Sequence, residues 1–83
     1  PLIEMILHEV YCTAQLRWND GTNRQVVLSS IESLCSLVNA DSCSASMDIR
    51  QKVNALKKHT RSHIVCLYWA GRIKEASSTR RSL

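Results

Sequence analysis

"IRQKVNALKKH", residues 49–59, is the stretch whose reading decides the fold of this chain. Ile49, Val53 and Leu56 recur at helical spacing, while Arg50, Lys52, Lys57 and Lys58 fall on other sides. The spacing predicts an amphipathic helix with an apolar stripe toward a core and a basic face toward solvent. Just before it, "NADSCSAS" (39–46) gathers residues that prefer caps and turns to helix interiors. Ser46 or Ser44 is placed to cap the helix, and Asp48 falls in its first turn, near the positive end of the helix dipole.

Working outward, residues 24–38 carry a second apolar stripe of Val27, Leu28, Ile31, Leu34, Cys35 and Val38. "NDGTN" (19–23) precedes it and reads as a turn: Gly21 is free to take positive φ, Asp20 can bond nearby backbone amides, and Thr22 or Asn23 can cap the helix. Upstream, Ile3, Ile6, Leu7, Val10 and Ala14 repeat with the helical period. Downstream of "KHTRSH", the segment "IVCLYWAGRIKEA" predicts a fourth helix. Ile64, Leu67, Tyr68 and Gly71 are assigned to one side, with Val65, Cys66 and Trp69 widening it. A helix so nearly apolar all round is expected to be largely buried. Beyond Ala76 the periodicity ends. The expectation is one all-α domain, a compact four- to five-helix bundle over residues 1–76, followed by a flexible basic tail over 77–83.

Composition agrees with helices packed on helices: there is no Phe, two Gly and one Pro, and Leu, Ile, Val and Ala supply most apolar content. A chain of 83 residues forms one domain at most, with stability of about 4–12 kcal/mol. It opens at Pro1 without an initiator Met, so the expectation is an excised domain or processed product. No apolar run reaches the length of about 18–20 residues that spans a bilayer. Charge divides unevenly. Residues 1–50 carry a net of −3 and residues 51–83 a net of +7, which favours acidic partners, whether protein segments or nucleic acid.

Catalytic chemistry has little to stand on. The carboxylates are scattered, and no nucleophile elbow, phosphate-cradling glycine loop or H-E-x-x-H is present. Cys12, Cys35, Cys43 and Cys66 include no C-x-x-C pair, so no zinc ribbon is expected; they are read as reduced small hydrophobes or, alternatively, as two disulfides. His59 and His63 lie four apart but straddle a junction, which favours two solvated histidines over a metal site. Trp18 and Trp69 are expected to fill core or junction space. No catalytic residue, metal or cofactor is assigned.

The central stretch also carries a resemblance. "IRQKVNALKKH" with "TRSHIVCL" resembles the signature of the N-terminal domain of transcription elongation factor S-II, in which an Ile-Gly-Lys-like start leads into Val-Asn-x-Leu-Arg/Lys-Lys-His and then an Ile/Val and a Leu. Ile49, Lys52, Val53, Asn54, Leu56, Lys57, Lys58, His59, Ile64 and Leu67 fit it in order, and Leu28, Ile31, Leu34 and Leu37 match the preceding family helix. Arg50 stands where the family has Gly, and Glu75 about where it ends on Trp.

The resemblance implies a monomeric, non-catalytic helical interaction module of transcription elongation proteins, nuclear and associated with RNA polymerase II. Its partners would be disordered acidic-hydrophobic segments docking beside two interhelical loops. Carried over to this chain, Asp20 would meet a partner's backbone amides. Lys58, His59 and Arg61 would lie against the segment, with the cations facing its acidic side chains, and Ser62 and Ile64 would floor a shallow pocket. Two alternatives remain from other classes: a secreted disulfide-bonded helical signalling ligand, and a small nucleic-acid-binding domain using the basic half.

Overall fold

The computed structural model describes the backbone of residues 2–82 and the side chains of residues 2–77. Four helices follow one another, α1 (Leu2–Arg17), α2 (Gly21–Val38), α3 (Met47–Lys58) and α4 (His63–Ser82). Each packs on two neighbours in the cycle α1–α2–α3–α4, and among the described residues the diagonal pairs do not meet. With short connections this is an antiparallel four-helix arrangement, so the 18–20 and 59–62 connections lie at one end and 39–46 at the other.

The central helix matches its sequence pattern. Ile49, Val53 and Leu56 are buried, and Ser46 caps α3, its Oγ accepting from the Ile49 amide at 3.2 Å. Asp48 in the first turn pairs with Lys52 at 2.8 Å. The Asn of the motif has a structural use: the Asn54 side-chain amide exchanges hydrogen bonds with that of Asn39, the α2 C-cap, and also donates to the Arg50 carbonyl. Arg50 donates to the Cys43 carbonyl at 2.7 Å and so braces the α2–α3 connection.

Leu7, Val10 and Ala14 of α1 and Val27, Ile31, Leu34, Cys35 and Val38 of α2 complete most of the core. Two expectations need correction. The start of α2 is at Gly21 rather than 24, because Asp20 is itself the N-cap, its Oδ1 accepting from the Thr22 amide at 2.9 Å. Gly21 is thus the first residue of the helix, and neither glycine has positive φ. In α4 the buried stripe is Cys66, Ala70 and Ile73, whereas Ile64 is 78% and Tyr68 56% exposed. The helical backbone continues past Ala76 to Ser82, where the sequence reading placed a tail; residue 83 and the side chains of 78–82 lie outside the described residues.

All four cysteines are free. No helix among the described residues is long and apolar enough to cross a membrane.

Candidate functional site at the two-loop end

The end of the bundle that holds the 18–20 and 59–62 connections is tied together by aromatic side chains. Trp18, buried just after α1, stacks on His63 with ring centroids 5.4 Å apart and planes 12° from parallel. The His63 Nε2–H donates to the Ala14 carbonyl at 2.7 Å, which fixes the ring against α1. Arg24 of α2 lies over the Trp18 ring, its guanidinium carbon 5.7 Å from the centroid and its Nε donating to the Trp18 carbonyl. One tryptophan therefore joins α1, α2 and the start of α4. His63 is not a solvated junction residue, as the sequence reading had it.

The residues expected at the site come to this end in different states. Asp20 is exposed, with one oxygen spent on the α2 cap and the other open to a partner. Lys58 ends α3 and is exposed, as is Arg61 in the connection. His59 caps α3 through its backbone, and its exposed ring lies parallel to Trp69 at a centroid distance of 6.1 Å. Ser62 caps α4: its Oγ accepts from the Val65 amide and its carbonyl from the Cys66 amide. Ile64 stands out from the surface instead of flooring a pocket, and Ser62, occupied as a cap, does not floor one either.

Sequence reasoning missed the neighbour of Ile64 along the ridge. Tyr68, one turn further on α4, is exposed, meets Trp69 edge to face at 5.7 Å, and accepts from Arg72 through its hydroxyl at 3.1 Å. No signal in the sequence singled it out, because the stripe through Ile64 and Tyr68 fits the helical period as well as the buried one of Cys66, Ala70 and Ile73. The result is an exposed apolar pair on α4, Ile64 and Tyr68, with Arg72 over the Tyr68 ring and the exposed cations Lys58 and Arg61 at the end of α3 and in the connection that leads into α4. Such a surface suits an extended or helical segment that alternates apolar and acidic side chains.

Among the described residues no group of three or more His, Cys, Asp or Glu side chains gathers as a metal site. Two thiols are chemically quiet: burial raises the pKa of Cys66 to about 11 and, chiefly by the same cause, raises that of Cys35. Comparison with known proteins gave no match, whether to a family model, to a curated protein or to a solved structure.

Proposed function

We propose that this chain is a non-catalytic protein-interaction domain of a transcription elongation factor. It acts in the nucleus and docks short disordered acidic-hydrophobic segments of other transcription or chromatin proteins. The observation that carries the reading is the two-loop end itself. The 18–20 and 59–62 connections share that end, joined through Trp18 and His63, and α4 exposes Ile64 and Tyr68 on a chain whose α3, α4 and connection also expose Lys58, Arg61 and Arg72. The apolar ridge supplies contact area, and Lys58 and Arg61 select acidic side chains at the rim.

The reading is tested by affinity capture from nuclear extract with wild type and Ile64→Asp side by side. Transcription and chromatin proteins captured by wild type and lost with the variant support it. A wild-type list free of such proteins, or one unchanged by the variant, contradicts it.

The basic half favours a second reading, nucleic-acid binding. Exposed Lys57, Lys58, Arg61, Arg72 and Lys74 all belong to α3, α4 and their connection. Salt dependence separates the two readings, because phosphate contacts release condensed counterions whereas rim ion pairs are already largely screened.

A further inference from the structure

On the α1–α2 side of the bundle a second surface differs in charge from the two-loop end. A shallow groove runs between these two helices. One part of it is lined by Leu2 and Ile6 of α1 and by Leu37 of α2, the other by Val26 of α2. Ser29 and Ser33 line both parts and so make them one continuous groove. From Val26 to Leu37 the groove follows α2 for about 16 Å, or three helical turns. Leu2 is 54% and Val26 37% exposed, so the apolar lining is open in both parts.

The charge in this groove is of one sign. Glu9 lines the part with Val26 and Glu32 the part with Leu2; both are exposed, and among the described residues neither is in an ion pair. Among those residues no lysine, arginine or histidine lines the groove. On a chain of net charge +4 these carboxylates stand against the overall sign. The exposed Lys57, Lys58, Arg61, Arg72 and Lys74 belong to α3, α4 and their connection, across the four-helix cycle from α1 and α2.

We propose that the α1–α2 groove docks a basic amphipathic helix of about three turns from a partner protein. Its apolar face lies between Leu2 and Val26, and its lysines or arginines reach Glu9 and Glu32. Charge complementarity fixes the class of partner: the groove attracts cations and repels the acidic segments assigned to the two-loop end. The all-helical fold fixes the conformation. The groove offers no strand edge to pair with an extended backbone, whereas a helix satisfies its own amides and carbonyls. The surface is separate from the two-loop end and its occupation does not depend on binding there.

The test is an NMR titration of the whole chain, labelled with nitrogen-15, with a synthetic helix of about fourteen residues that carries leucines on one face and lysines on the other. A second peptide has glutamates in place of the lysines. Expected with the lysine peptide are shifts concentrated on the amides of Ile6, Val26, Ser33 and Leu37, which the glutamate peptide leaves unmoved. Replacing both carboxylates, Glu9→Gln with Glu32→Gln, should weaken lysine-peptide binding about three- to ten-fold. Ser33 is exposed, its hydroxyl donating back to the Ser29 carbonyl at 3.1 Å, so Ser33→Arg should fill the groove and abolish binding with wild-type circular dichroism. Ile64→Asp should bind the lysine peptide as wild type does. The proposal is overturned by an absence of shifts up to about 1 mM peptide, by equal shifts from both peptides, or by affinity unchanged in the double or the Ser33→Arg variant. Shifts of the same amides with protein concentration alone overturn it too, since the occupant would then be a second copy.

Discussion

At the scale of one residue, Ile64 is the cleanest probe of the proposed site, because it stands out from α4 and has almost no core to lose. Ile64→Asp is expected to change stability by less than about 0.5 kcal/mol in urea melts while removing most segment binding. Asp20 needs a more careful substitution. Asp20→Ala deletes the α2 cap and is expected to lower stability by about 0.5–2 kcal/mol, whereas Asp20→Asn keeps a cap and removes the charge. Binding lost in both variants therefore isolates the carboxylate. In α3, Leu56→Ala is expected to lower stability by about 2–5 kcal/mol through transfer and cavity terms. Lys57→Ala, on the exposed face, is expected to change it by less than about 0.5 kcal/mol. Equal losses for these two would contradict the helical phase. Cys66 adds a pH dependence. Its thiol keeps its proton to about pH 11 when folded, against 9.0 as the ordinary value, so unfolding releases a proton between those limits. The Cys66 contribution is complete below pH 9.0 and is lost as pH rises toward 11. Alkaline melts of Cys66→Ala should therefore decline less steeply than those of wild type.

At the scale of the helix, what the sequence made legible depended on how one-sided each helix is. In α3 a clean apolar stripe sits against charged flanks, so its core residues and Ser46 cap could be read directly. In α4 the segment 63–71 is apolar nearly all round, and two stripes satisfy the helical period equally well. Only packing against α1 and α3 chooses Cys66, Ala70 and Ile73. The start of α2 was hidden for another reason: Asp, Gly and Thr serve both turns and helix N-termini, so "NDGTN" did not reveal that Asp20 already caps. The Trp18–His63 stack joins residues far apart in sequence and left no local signal. Helix α4 also supplies a prediction. Gly71 lies in its interior with an ordinary φ, and an added Cβ would meet Tyr11 at a comfortable 3.8 Å. Gly71→Ala is therefore expected to stabilise the chain by about 0.5–1 kcal/mol, read as a higher melting temperature. A lower one would mean that α1 and α4 approach each other more closely than described.

Across the whole molecule, charge and shape are organised together. The basic side chains belong mainly to α3 and α4, and Lys58 and Arg61 bring part of that charge to the two-loop end. An acidic-hydrophobic segment bound there pays an ordering cost on binding, so its affinity should be about micromolar. Its salt response should be shallow, because a Debye length of about 8 Å already screens exposed pairs at physiological ionic strength. The most direct measurement is a pair of titrations at about 50 and 200 mM salt. One uses a labelled acidic-hydrophobic peptide from a protein captured in nuclear extract, the other duplex DNA, each with wild type and Ile64→Asp. The account predicts peptide binding that weakens only a few-fold with salt and disappears with Ile64→Asp. Tight DNA binding that falls by powers of ten with salt and survives Ile64→Asp would contradict it.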